Sequence, residues 1–338
     1  MKILVTGGCG YIGAHTLVDL IEKGFSVISI DDHSRSSSDI LEGVARITGV
    51  RVKNYAVNLC DKALTEAVFA ENPDVGGVIH FAAYKSVPES VAFPLRYYHN
   101  NIESLVNLLA CVEAFRVPYF VFSSSCSVYG NTARLPVVED TPLEKAESPY
   151  GDTKQIGERI IKAFAATQAD IQCVLLRYFN PVGAHLSAHI GEVQPVPQNL
   201  VPFITQTAIG KRPILTVYGS DYPTRDGTCV RDYIHVSDIA SAHTLALKWL
   251  MDKQSPSNYE VFNLGSGSGT TVLEAIAAFE RSTGLPLNYQ IGERRAGDVA
   301  AIYADNERAG KVLGWLPQYN IDDMMKSAWE WEKKMSEL

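Results

Sequence analysis

The sequence predicts an α/β chain, a doubly wound parallel sheet followed by a smaller mixed α/β part. Three observations carry that prediction. Short apolar runs alternate with helix-patterned stretches through the first half, as in a parallel sheet with helices on both faces. The first run flows into glycines spaced G-x-x-G-x-x-G and then into a helical pattern. The second run ends on a pair of aspartates.

Taken in order, Ile3 to Val5 is a buried strand that enters Gly7, Gly10 and Gly13, and Ala14 to Lys23 follows as a helix. Glycines let the backbone turn tightly and let a pyrophosphate approach the helix start, where free N–H groups favour anions. A lone glycine triplet is a weak signal, but strand, loop and helix in this order make a Rossmann-type dinucleotide site. Phe25 to Ile30 is the second strand. Asp31 ends it 18 positions after Gly13, near the ~20 expected for the acid that takes an adenosine ribose. A carboxylate there accepts from the 2′ and 3′ hydroxyls and repels a 2′-phosphate, and Asp32 adds to it. This favours NAD over NADP. Arg35 is read either as a cation that would greet such a phosphate or as a solvated loop residue.

Further strands are expected at Arg51 to Val57, Val78 to Ala83, Tyr119 to Phe122 and Cys173 to Tyr178, with helices between them, such as Ile102 to Phe115. Ligands of such sheets sit beyond the carboxyl ends of the strands. Asn58, Lys85, Ser123 to Ser125 and Asn180 all fall there. Tyr150 and Lys154 stand four apart at the start of a helix and so share one face. A free phenol titrates near ~10, and a neighbouring cation lowers that value. Tyr150 is then a candidate acid–base group, with Ser125 placed to hold a substrate hydroxyl.

After Asn180 the prolines Pro181, Pro195, Pro197, Pro202 and Pro213, with Gly183, break up long elements. We place a boundary there: residues 1–180 form the dinucleotide part and 181–338 the substrate part, with about 233–264 free to return to the first. The stretch Tyr218 to Val236 is too polar for a core strand and too rich in Arg and Asp for an idle loop. Arg231 and Arg295 offer forks for a substrate diphosphate, or else form surface salt bridges.

The chain has 338 residues, 46% hydrophobic and 20% charged, and a net charge of −8. This fits a globular enzyme of about two domains. No basic stripe marks a nucleic-acid binder, and no apolar run approaches the ~20 residues of a membrane helix. The N-terminus enters a strand directly without a signal peptide. Cys9, Cys60, Cys111, Cys126, Cys173 and Cys229 have no paired spacing and read as reduced thiols, so a cytoplasmic location is expected. His185 and His189 are four apart, but no glutamate completes a zinc motif, and no metal is expected.

These residues together resemble the extended short-chain dehydrogenase/reductase family, and within it the UDP-hexose 4-epimerases, nearly end to end. The matching stretches are T-G-G-C-G-Y-I-G-A-H at 6–15, H-F-A-A-Y-K at 80–85, S-S-S-C-S-V-Y-G at 123–130, P-Y-G-D-T-K at 149–154, R-Y-F-N-P-V-G-A-H at 177–185 and D-Y-P-T-R-D-G-T-C-V-R-D-Y-I-H-V at 221–236. The resemblance implies that Tyr150 is the base and acid, that Lys154 binds the nicotinamide ribose and lowers the Tyr150 pKa, and that Ser125 holds the sugar hydroxyl. It implies that Tyr11, Ile12, Asp31, Asp32, Asn58, Leu59, Phe81, Ala82, Ala83, Lys85, Asn100, Tyr150, Lys154 and Phe179 contact NAD, beside the glycine loop. It assigns Ser125, Tyr150, Asn180, Asn199, Leu200, Tyr218, Arg231, Arg295, Asp298 and Ile302 to a UDP-sugar. Asn58 departs from the aspartate usual near the adenine. The implied reaction interconverts UDP-glucose and UDP-galactose in galactose metabolism, by oxidation and re-reduction at C4. NAD stays bound, and Ile302 would set tolerance of N-acetylated sugars. A homodimer pairing helices near 100–115 and 150–168 is also implied. A related 4,6-dehydratase would carry Asp-Glu where this chain has Cys126 and Ser127. A non-catalytic NAD-sensing protein would lack the tyrosine or the lysine.

Overall fold

A computed structural model describes residues 1–193, 197, 199–252, 257–295 and 298–337. Pro195, one of the expected breakers, lies outside the described residues. The first half runs β1 (Lys2–Thr6), α1 (Tyr11–Glu22), β2 (Ser26–Ile30), α2 (Asp39–Thr48), β3 (Lys53–Tyr55), α3 (Lys62–Glu71) and β4 (Val75–His80). Then come α4 (Val87–Ala92), α5 (Pro94–Tyr98), a π-helical turn His99–Glu103, α6 (Ser104–Ala114), β5 (Tyr119–Ser125), a 3₁₀ turn Cys126–Tyr129, α7 (Pro149–Thr167) and β6 (Gln172–Tyr178).

The second half holds β7 (Asn180–Val182), α8 (Leu200–Ala208), β8 (Leu215–Tyr218), β9 (Val230–Arg231), β10 (Tyr233–His235), α9 (Val236–Met251), β11 (Tyr259–Leu264) and β12 (Thr270–Thr271). It ends with α10 (Val272–Thr283), β13 (Tyr289–Gly292), β14 (Ala301–Ile302), α11 (Glu307–Leu313) and α12 (Ile321–Glu337).

Seven strands form one parallel sheet in the order β11-β6-β5-β4-β1-β2-β3. The order reverses between β1 and β4, which opens a crevice at their carboxyl ends. Residue alternation sorts each strand between two cores, because side chains in a strand point to opposite faces in turn. Ile3, Val5, Val121, Val174 and Leu176 face α1 and α9, whereas Leu4, Phe120, Phe122, Cys173 and Leu175 face α3, α6 and α7. A third core joins α8, α10 and α12. No helix among the described residues is long and apolar enough to cross a membrane.

Several elements differ from their expected bounds. β4 starts at Val75 rather than Val78 because Gly76 and Gly77 conceal its apolar pattern, and it ends at His80, leaving Phe81 to Lys85 as a loop. β3 is shorter than Arg51 to Val57, as suits an edge strand. The polar stretch Tyr218 to Val236 does contain core strands. In it, Asp232 is fully buried, and its carboxylate accepts from Ser266 N at 2.8 Å, Ser266 Oγ at 2.6 Å and Ala304 N at 3.0 Å. A buried charge is tolerated where hydrogen bonds satisfy it. β5 runs on through Ser125, so the three serines belong to the strand and not to its exit.

Candidate active site

At the crevice between β1 and β4 lies a cavity of about 1310 Å³. Its floor is the glycine turn. A Cβ on Gly13 would sit 2.1 Å from the Gly7 carbonyl oxygen, and one on Gly7, whose φ is +71°, would sit 2.8 Å from Ala82 N. Only glycine permits this packing. The first turn of α1 has no side-chain cap, so its N–H groups remain for an anion. Asp31 closes one side. Its Oδ2 accepts from Cys9 N at 3.0 Å and its Oδ1 from His33 N at 3.0 Å and Ser36 Oγ at 2.7 Å. The donor set and the close backbone fit a dinucleotide pyrophosphate with a ribose beside it.

The cavity brings together Gly7, Gly10, Tyr11, Ile12, Gly13, Asp31, Asp32, Asn58, Leu59, Phe81, Ala82, Ala83, Lys85, Asn100, Ser125, Tyr150, Lys154, Phe179, Asn180 and Asn199. Tyr11 reaches across to the residue after β7, donating to the Gly183 carbonyl at 2.6 Å. Lys85 pairs with Glu192 at 3.0 Å. Asn58 accepts from Cys60 N through its side chain, and Asn100 donates to Asn101 Oδ1. Arg35 also lines the cavity, as an exposed loop cation whose guanidinium pairs with Glu89.

At the far end, α7 starts with Ser148 as N-cap, accepting from Gly151 N, and Pro149 at its first position. These are strong local start signals, and they set Tyr150 and Lys154 in the first turns. Tyr150 and Lys154 are both buried. Burial drives the Tyr150 phenol well above its ordinary range, the neighbouring Tyr178 adds to this, and the Ser125 hydroxyl opposes it. Lys154 is not among the groups that act on the phenol, contrary to the expected lowering by its charge. Lys154 Nζ donates to the Ser123 carbonyl at 2.7 Å and lies 4.8 Å from the Phe122 ring centre. A carbonyl within reach satisfies a buried ammonium more directly than a neutral phenol does. Burial pushes Lys154 down to about 8, while the Glu158 carboxylate favours its charged form.

The serines of β5 divide by face. Ser123 Oγ meets Tyr178 Oη at 2.5 Å, Ser124 Oγ donates to Glu158 Oε1 at 2.6 Å, and Ser125 faces the cavity. Glu158 and Arg177 escaped the sequence reading. The signal for Glu158 is the spacing of Tyr150, Lys154 and Glu158, successive fourth residues on one face of α7, whereas Arg177, on β6, has no local signal.

Leu200, Tyr218, Arg231, Arg295, Asp298 and Ile302 do not line this cavity. Four of them form a group of their own. Arg295 grips Asp298 through two bonds of 3.1 and 2.8 Å, Arg231 approaches the same carboxylate at 3.6 Å, and the Arg295 guanidinium lies 5.6 Å from the Tyr218 ring centre. Ile302 pairs with Arg231 across β14 and β9 and is buried with Val128, Tyr129 and Phe179. Phe179 and the adjoining Cys126 line the cavity, so Ile302 stands one layer behind its wall. Leu200 opens α8 and packs on the third core.

Residues 3–265 match the model of the NAD dependent epimerase/dehydratase family. A UDP-glucose 4-epimerase of Dictyostelium discoideum is 45% identical over 332 residues, 98% of this chain and 95% of that protein. The crystal structure of a UDP-glucose-4-epimerase from Stenotrophomonas maltophila, with bound NAD and formylated UDP-arabinopyranose, superposes with a TM-score of 0.96 at 43% identity, covering 100% of this chain and 99% of that one. That of a UDP-glucose 4-epimerase from Bifidobacterium longum, in complex with NAD+ and UDP, gives 0.93 at 45% identity, covering 99% and 98%.

Proposed function

The chain belongs to the NAD dependent epimerase/dehydratase family, and from that premise we propose that it is a UDP-glucose 4-epimerase, interconverting UDP-galactose and UDP-glucose. The observation that carries the reading is that Ser125, Tyr150 and Lys154 open into the same cavity as the glycine loop and Asp31. The glycine loop, Asp31 and Lys85 would hold NAD, which when bound supplies hydride exchange at the sugar C4. Residues 1–180, with 233–264, would serve this cofactor, and 181–338 the nucleotide sugar.

The protein's own part is proton transfer and orientation. Ser125 would hold the 4-hydroxyl, and Tyr150 would take its proton and later return it to the inverted centre. The Tyr150 phenol starts too high to be a base, so its function depends on groups that favour the phenolate, the Ser125 hydroxyl among them. Lys154 would bind the nicotinamide ribose. The Arg231–Asp298–Arg295 group beside Tyr218 would hold the UDP diphosphate and uracil, with Asn180 and Asn199 on the cavity side. A 4,6-dehydratase needs a carboxyl acid where this chain has Cys126, whose thiol is pushed up to about 12 by burial. No net redox change occurs, so the cofactor stays with the protein.

The test is to incubate purified protein with UDP-galactose, without added NAD, and resolve the product sugars. UDP-glucose is expected. A lack of conversion together with NAD recovered from the denatured protein would favour the sensing reading. We further infer a homodimer through α6 and α7. Exposed apolar side chains at and beside α6 support this, among them Val106 on the helix and Phe93 and Leu95 before it. Sedimentation equilibrium would give a monomer mass if this is wrong.

A further inference from the structure

We propose that Glu89 sets the cofactor preference of this chain by holding Arg35 away from the adenosine ribose, so that the cavity takes NAD and rejects NADP; this rests on the cavity holding a dinucleotide. The loop after β2 carries opposed signals. Asp31 and Asp32 repel a 2′-phosphate, while Arg35, four residues past Asp31 on the same cavity wall, is the fork that would bind one. The geometry decides which signal acts.

Arg35 Nη2 meets Glu89 Oε1 at 2.5 Å, and its guanidinium lies 4.9 Å from the Tyr84 ring centre. Glu89 is itself fixed. Its Oε2 accepts from the hydroxyl of fully buried Tyr97 at 3.0 Å, its Oε1 also meets Arg96 at 3.3 Å, and its backbone N–H is capped by Ser86 Oγ. Arg96 lies 5.1 Å from the same Tyr84 ring. The carboxylate is held by α4 and α5, and Arg35, on the loop, is the partner drawn to it. The fork is thereby biased towards protein, and Asp31 would meet the ribose with less competition from a cation. Losing Glu89 would free a phosphate-binding guanidinium beside that ribose.

The pair is half exposed, with Arg35 at 47% and Glu89 at 21%, so its hold is weak and the expected effect is about fivefold. The experiment strips purified protein of nucleotide, reloads it in equimolar NAD and NADP, then releases and quantifies both by chromatography. Glu89→Gln should raise the bound NADP-to-NAD ratio about fivefold over the unchanged protein, and adding Arg35→Ala to it should remove the gain. An unchanged ratio in Glu89→Gln, with NAD still bound, overturns this proposal alone. So does a gain that survives Arg35→Ala, since Glu89 would then act by its own charge. An unchanged protein that takes up neither nucleotide overturns the dinucleotide reading and this proposal with it.

Discussion

Arg177 of β6 grips Glu158 of α7 through two parallel bonds, Nε to Oε1 at 2.8 Å and Nη2 to Oε2 at 2.6 Å, both side chains almost wholly buried. The pair fixes the helix that carries Tyr150 and Lys154 against the strand beside β5. Removing one partner leaves the other charge buried and alone. Glu158→Gln should therefore cost about 3–5 kcal/mol in urea unfolding. It also takes away the carboxylate that keeps Lys154 charged, so Lys154 should titrate below about 8, and the alkaline limb of the kcat profile should move to lower pH. A loss under about 1 kcal/mol would mean that the pair does not hold α7.

Tyr150→Phe should lower turnover by roughly two powers of ten or more, the usual scale for a positioned acid–base group. Binding of UDP, measured by calorimetry, should change little. Lys154→Met should slow the reaction, since it removes the group that would hold the nicotinamide ribose. Near-full activity in Tyr150→Phe would remove the phenol from the mechanism.

Ile302 backs Phe179 and Cys126 at the cavity wall, so its volume should tune room near the sugar ring. Ile302→Tyr should lose turnover of UDP-N-acetylglucosamine while keeping that of UDP-galactose, and Ile302→Gly should gain it. Gly at a buried site leaves a void costing about 2–5 kcal/mol, so the assays belong well below the melting temperature. Unchanged substrate ratios in both variants would confine Ile302 to packing.

Acid should destabilise the fold through buried histidines. Burial pushes His15 and His80 down to about 3, and His235 and His243 to about 4. In the unfolded chain they protonate near 6.5, so the stability they contribute is complete above that pH and is lost as the pH falls towards 4. Asp232 and Asp238 act in the opposite sense. Burial raises each to about 6, so their contribution grows as the pH drops through that value. Four histidines outweigh two aspartates, leaving a net loss of roughly 3 kcal/mol per pH unit. Melting curves from pH 7 to 4 should show it, and His243→Gln should flatten the slope by about one proton. A stability that rises on acidification would contradict this ledger.

What could be read from the sequence is what local backbone physics decides. Gly7, Gly10 and Gly13 announce a turn that needs no partner to be recognised, and Asp31 ends its strand at a fixed distance from them. Tyr150 and Lys154 are neighbours through helix geometry alone. Glu158 and Arg177 are 19 residues apart and meet only because β5, β6 and α7 pack together. Asp232 looked too polar for a core, since its partners Ser266 and Ala304 lie 34 and 72 residues away. Arg35 was ambiguous for the same reason, because Glu89, 54 residues on, decides where its charge goes.

The place of β11 at the outer edge of the large sheet, beside β6, bears on how the chain is made. Residues 179–258 separate those two strands, and α9, which covers Leu17, Val174 and Leu176, lies within that interval. At the usual 5–20 residues per second, synthesis of the interval takes roughly 4–16 s. During that time a nascent polypeptide holds six of the seven strands with one apolar face covered by α1 but not by α9, and with the β6 rim unpaired. Biosynthesis thus delays closure of the nucleotide-binding half until β7 to β10, with α8 and α9, have been made. Holdase chaperones are expected to meet this protein in that interval, and a chain arrested just after β6 should aggregate where the complete one does not.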